Sequence, residues 1–220
     1  MRDICGLVEK GAHLRSQIHK PIKVYSATLL RLARTVGPSP QVLTAMSAHT
    51  PDETQQLTAT ERAERQRAVV QALGWVLPAD AILYTPEDTT PYECDGLTAY
   101  RERPLVVALP ETEAQVQAVL KACHALAVPV VARGAGTGLS GGAMPHRMGV
   151  TLSMARFNQI KTVDPVSRTA VVQCGVRNLA ISEAAAPYGL YYAPDPSSQI
   201  ACTIGGNVAE NSGGVHCLKY

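Results

Sequence analysis

The clearest pattern in the chain begins near Pro104, where short apolar runs alternate with apolar positions at helical spacing. Leu105 to Leu109 is an unbroken apolar run between prolines, which predicts a buried strand. Thr112 and Gln115 have the spacing of a capping box. Behind them Val116, Val119, Leu120, Cys123 and Ala127 recur at helical spacing, predicting a helix with one face on a sheet. Val128 to Ala132 reads as the next strand. Strand, helix and strand within about thirty residues form a βαβ unit, which is parallel. Further strands are expected at Gly149–Met154, Ile160–Asp164 and Thr169–Cys174, the last two as a hairpin turning at Asp164-Pro165. Asn178 stands where it can cap a helix through Ala186, which Pro187 and Gly189 end.

The N-terminal part reads differently. Ala27 to Val36 holds one amphipathic helical stretch that Gly37-Pro38-Ser39-Pro40 stops, and residues 47–58 are polar and turn-rich, as a linker is. A helix fits Ala59 to Leu73, with Thr58 and Glu61 as capping box and Val69, Val70 and Leu73 as apolar face. No internal repeat is visible at periods of about 20–50 residues. The chain thus divides into an unassigned N-terminal extension (1–60), a helix with a connecting segment (61–103), and a patterned domain (104–220).

Composition narrows the class. The chain has 220 residues, 46% hydrophobic and 17% charged, which excludes wholesale disorder. One Trp and one Phe leave the core to Val, Leu, Ile and Ala. A net charge of +2 is too balanced for a nucleic-acid partner, although residues 1–50 carry a local +5. That basic stretch shares the acid-poor character of a transit peptide without its serine richness. No apolar run approaches the roughly 18 residues of a membrane span. The six cysteines show no C-x-x-C pair, which argues against a disulfide framework or zinc site and for a reducing, cytoplasmic compartment.

Twelve of the seventeen glycines follow residue 133, mostly in two clusters. The first is Arg133-Gly134-Ala135-Gly136-Thr137-Gly138-Leu139-Ser140-Gly141-Gly142, directly after a predicted strand. Such a loop can turn backbone N–H groups inward, and without Cβ atoms a phosphate can come close. Gly136-x-Gly138-x-x-Gly141 matches the dinucleotide fingerprint as a string, but no helix is expected to open at the loop. Nothing acidic lies about 20 residues past the first glycine to read a ribose. A Rossmann site is therefore the losing reading, and no Lys-Ser/Thr pair closes a Walker loop.

The second cluster is Pro194-Asp195-Pro196-Ser197-Ser198 and then Cys202 to Gly214, with paired glycines at 205–206 and 213–214. Its small residues are expected to lay backbone flat against a large planar ligand, with Asn207 and Asn211 offering amide hydrogen bonds. Two backbone-rich loops suit a long cofactor carrying a diphosphate at one end and a ring at the other.

The segment from about Leu73 to Tyr220 resembles the FAD subunit of glycolate oxidase. That subunit stands among the PCMH-type (vanillyl-alcohol-oxidase-type) flavoproteins that include D-lactate and D-2-hydroxyglutarate dehydrogenases. The resemblance is carried by Leu83-Tyr84-Thr85-Pro86-Glu87-Asp88, Tyr92-Glu93-Cys94-Asp95-Gly96, the Arg133–Ala143 loop, Tyr191–Ser198 and Cys202–Tyr220. It implies an α+β FAD-binding domain of two α/β subdomains, the second incomplete at Tyr220, with the cofactor between them. It also implies that Gly134, Ala135, Gly136, Thr137, Gly138, Leu139 and Ser140 bind the diphosphate. Pro194, Ser198, Thr203, Ile204, Gly205, Gly206 and Asn207 would line the flavin, with Asn211, Gly213 and Gly214 nearby. Neither His nor Cys lies in the first loop, so the FAD is expected to be non-covalent. The implied reaction oxidises a 2-hydroxy acid of glycolate or D-lactate type to a 2-oxo acid by hydride transfer to flavin. The implied partners are a second flavin subunit and an iron–sulfur subunit, through which the protein would lie peripheral to the inner membrane.

The family's catalytic histidine and metal ligands map onto no residue here. No catalytic residue or metal site is therefore assigned, and the 220 residues alone are expected to be inactive. The alternative is a non-catalytic FAD domain serving as a binding or scaffold protein. His216 is expected to be a structural, hydrogen-bonding residue, His124 to be exposed, Cys94 a small hydrophobe and Asp195 a turn residue. Arg133 is open between pairing with the diphosphate and a surface salt bridge.

Overall fold

A computed structural model describes residues 20–21, 23–26 and 59–219. The elements begin with β1 (Lys20–Pro21), β2 (Lys23–Ser26), α1 (Ala59–Leu73), β3 (Ile82–Leu83), α2 (Pro86–Thr89), β4 (Val106–Ala108) and α3 (Glu113–Ala125). They continue with β5 (Val130–Arg133), β6 (Val150–Ser153), β7 (Ile160–Asp164), β8 (Thr169–Val172), α4 (Asn178–Ala185), β9 (Leu190–Tyr191) and α5 (Ile204–Glu210). The chain is a mixture of helix and sheet in two compact units, residues 27–157 and residues 1–26 with 158–220. The helix expected at Ala27–Val36 and the Thr58 cap lie outside the described residues.

In the 27–157 unit a four-stranded sheet runs β3-β4-β6-β5, with β4 and β5 both parallel to β6 and β3 antiparallel at the edge. The βαβ reading of β4, α3 and β5 is right in direction. The sequence did not show that β6 returns between the two strands. Every residue of β4 and β6 is buried, as parallel strands covered on both faces require. The capping box of α3 is formed as its residues foretell: Thr112 Oγ1 accepts from Gln115 N at 3.2 Å, and Gln115 Oε1 accepts from Thr112 N at 3.2 Å. Helix α1 buries Val69 and Leu73 and ties itself down with side-chain donors. Gln66 Nε2 reaches the Leu105 carbonyl at 2.7 Å, Arg65 reaches that of Ala127 at 2.6 Å, and Arg62 donates to the Arg147 carbonyl.

The other unit carries a three-stranded sheet, β2-β8-β7. β7 and β8 form the expected antiparallel hairpin, while β2 lies parallel to β8 and β1 parallel to β9. Ala170, Val172, Val176, Ile181, Ala185, Leu190 and Ile204 make its core, an aliphatic cluster drawn from strand, helix and loop alike. Helix α4 runs into a 3₁₀ turn at Ala186–Tyr188, and Gly189 at φ +66° closes it. Asn178 does not cap α4. Arg177 holds the cap position without a side-chain bond, and the Asn178 amide is buried and engaged elsewhere.

Candidate functional site

The first glycine loop leaves β5 at Arg133 and reaches β6 without forming a helix, which removes the structural basis of a dinucleotide fingerprint. Gly136 and Gly141 turn at φ +73° and +76°, backbone that L side chains rarely adopt. The floor under the loop is protein. Arg133 is 8% exposed, donates from Nη1 to the Cys94 carbonyl at 2.7 Å, and stacks over the Tyr92 ring at 5.6 Å from its centroid. Its guanidinium fills the place a Gly136 side chain would take. Of the two alternatives for Arg133, the surface salt bridge is not what the geometry shows: Arg133 is buried, makes no ion pair among the described residues and braces the loop from beneath. Gly96 completes the floor, since a Cβ there would come within 2.7 Å of the Thr137 and Gly138 carbonyl oxygens. Asp95 is buried, with Oδ1 accepting from Leu97 N at 2.9 Å. Ala135, Leu139 and Ser140 form the loop's exposed rim.

The second cluster departs from the flat backbone expected of it. Residues 204–210, the first glycine pair included, form α5. Thr203 supplies an extended N-cap, and Ile204 plugs into the core. Ile204 N donates to the Val176 carbonyl at 2.9 Å and Gly205 N to that of Cys174 at 2.8 Å. Gly205 is required by that approach: a Cβ would lie 2.8 Å from Cys174 Cβ and 3.0 Å from its carbonyl oxygen. Asn211 ends the helix at φ 54°, a left-handed position that asparagine tolerates. Gly213 and Gly214 let the chain close on Cys217 and Asp195. Asp195 N donates to the Gly213 carbonyl at 3.1 Å, and Asp195 Oδ2 lies 2.9 Å from His216 Nδ1. His216 is thus hydrogen-bonded, and His124 is exposed, as expected; Cys94 is only half-buried.

Two observations in this cluster point beyond packing within the chain. Gly206 has no neighbour that forbids a side chain, the nearest atom being Thr203 Oγ1 at 3.6 Å from a built Cβ. That Thr203 hydroxyl is itself buried without a hydrogen-bond partner among the described residues. A glycine with no packing reason beside an unmet hydroxyl is what a closely approaching ligand would leave. Burial raises the pKa of the nearby Tyr192 phenol, aided by the Cys202 thiol, so it stays neutral. Sequence reading missed Asn178, whose buried amide joins Pro194 to Asn207. The signal was present, an asparagine in an apolar helical stretch, but capping explained it too readily. Among the described residues no cluster of His, Cys, Asp and Glu could hold a metal ion, and no helix is long and apolar enough to cross a membrane.

A family defined as an FAD binding domain matches residues 104–220. The chain belongs to that family. FAD is accordingly its cofactor, and the residues present fit one: a glycine loop with positive-φ turns, the open face of Gly206 and the unmet Thr203 hydroxyl. The chain is 66% identical over 153 residues to glycolate oxidase subunit GlcD of Escherichia coli K12, covering 70% of this chain and 31% of that protein. It is 37% identical over 151 residues to D-2-hydroxyglutarate dehydrogenase of Xanthomonas citri pv. viticola, covering 69% and 32%. It therefore spans about a third of the length of these curated relatives. Among solved structures, alkyldihydroxyacetonephosphate synthase superposes with a TM-score of 0.63 at 22% identity, covering 70% of this chain and 33% of that one, a likeness of fold.

Proposed function

We propose that this FAD domain serves a 2-hydroxy-acid oxidoreductase of glycolate or D-lactate type, with non-covalent FAD. The observation that carries the reading is the 66% identity over 153 residues to a glycolate oxidase subunit. The dehydrogenase of D-2-hydroxyglutarate among the relatives supports the wider substrate class. In this reading the backbone N–H groups of Gly134–Ser140, with the Thr137 and Ser140 hydroxyls, hold the diphosphate. Arg133 acts from below by keeping the loop in place. Pro194, Ser198 and Thr203–Asn207 line the flavin; Thr203 Oγ1 gains there the partner it lacks, and Gly206 lets backbone approach the ring system. Bound FAD supplies the acceptor for the hydride lost as the hydroxyl carbon is oxidised. A second flavin subunit and an iron–sulfur subunit belong to the proposal as electron-transfer partners, since the E. coli relative is named as a subunit.

The test is anaerobic addition of glycolate, D-lactate, L-lactate, D-2-hydroxyglutarate or NADH to the whole, flavin-loaded protein rather than to the 220 residues alone. Bleaching of the visible flavin band by a 2-hydroxy acid is expected. Bleaching by NADH, with every 2-hydroxy acid inert, would overturn the reading.

A further inference from the structure

We propose that Asn178 is a positioning residue that sets the geometry of the second glycine cluster and the polarity with which Asn207 meets the cofactor. The proposal rests on the placement of the flavin against that cluster. Asn178 is 1% exposed, and its Nδ2 donates to the Pro194 carbonyl at 3.0 Å. Its Oδ1 accepts from Asn207 Nδ2 at 2.9 Å, a bond buried on both sides. The start of α4 gathers the same segment through the main chain: Asn178 N donates to the Cys202 carbonyl and Leu179 N to that of Gln199, both at 3.0 Å. One residue thus ties Pro194, Cys202 and Asn207 together.

The direction of this relay follows from chemistry. A peptide carbonyl can only accept, so Asn178 must turn its NH₂ to Pro194 and its oxygen to Asn207. Asn207 must then answer with its own NH₂. Asn207 keeps its Oδ1 and the second hydrogen of its NH₂, and the bond to Asn178 fixes which way each of them faces. That bond therefore fixes the side on which Asn207 offers its acceptor oxygen. Cutting the relay at Asn178 frees the Pro194 carbonyl and lets the Asn207 amide turn over.

The experiment is FAD titration of apoprotein prepared from the whole protein. Asn178→Asp keeps the acceptor for Asn207 but sets an oxygen against the Pro194 carbonyl; Asn178→Ala removes both bonds. Asn178→Ser, the smallest polar change, covers the case in which these do not fold. Ile181→Val, in the core one turn along α4, controls for lost stability. Every folded Asn178 variant should bind FAD at least tenfold more weakly and change the visible circular dichroism of the bound flavin. Ile181→Val should lower the apoprotein melting temperature and leave both unchanged. Asn178 variants that match Ile181→Val in affinity and flavin spectrum would overturn the proposal. If Gly206→Ala still weakens FAD in that event, the cluster holds flavin and only the relay is wrong. If it does not, the placement of the flavin falls as well.

Discussion

Gly205 and Gly206 are neighbours in one helix turn, yet the surrounding protein treats them oppositely. A Cβ at Gly205 would press on Cys174, whereas one at Gly206 would meet only Thr203 Oγ1 at 3.6 Å. Gly205→Ala should therefore lower the melting temperature of apoprotein and holoprotein alike. Gly206→Ala should stabilise the apoprotein by up to about 1 kcal/mol, the helical advantage of Ala over Gly, while weakening FAD. Paired thermal melts and FAD titrations check both, and a Gly206→Ala protein with unchanged FAD affinity would remove that residue from the site. Gly136 resembles Gly205, because its positive φ and the Arg133 guanidinium exclude any side chain. A glycine in such a loop thus serves the fold before it serves a ligand, which sequence reading alone could not separate. Cys123 offers a test of burial. Burial pushes its thiol from 9.0 up to about 11. A raised folded pKa gives stability that is complete below the unfolded value near 9 and fades as pH rises through about 11. Denaturant melts should lose stability across that window, and Cys123→Ala should remove part of the loss. A slope identical in the two proteins would contradict the assignment.

At the scale of elements, local chemistry was most legible where it was self-contained. The capping box of α3 and the full span of α1 follow from residues close in sequence. Thr112→Ala should cost about 1 kcal/mol in denaturant melts, since it removes an N-cap acceptor. A loss below a few tenths would mean that the cap is redundant. The hairpin of β7 and β8 was legible for the same reason, with Asp164 turning the chain. Its Oδ1 accepts from Val166 N at 2.9 Å and Ser167 N at 3.2 Å, and the Ser167 hydroxyl bond does most to hold its carboxyl below the ordinary carboxylate range. What sequence did not disclose depended on distant partners. Helix α5 forms despite two glycines because Ile204 is buried in the core and Val176 and Cys174 accept its first amides. Asn178 leaves its cap position for the same reason, drawn to Pro194 and Asn207, 16 and 29 residues away. The insertion of β6 between β4 and β5 is likewise a long-range pairing that no local pattern records.

At the scale of the whole molecule, the two glycine clusters belong to different compact units, the first to residues 27–157 and the second to the unit built on β2, β8 and β7. The family match gives the chain its cofactor. The central claim is that this cofactor is FAD, held without a covalent bond. It rests on the family and on the absence of His and Cys between Arg133 and Gly142. The most direct measurement is acid precipitation of the purified, flavin-loaded protein, followed by chromatography of the supernatant and inspection of the pellet. The account predicts all of the flavin in the supernatant, as intact FAD. Flavin retained in the pellet, or FMN released in its place, would contradict it.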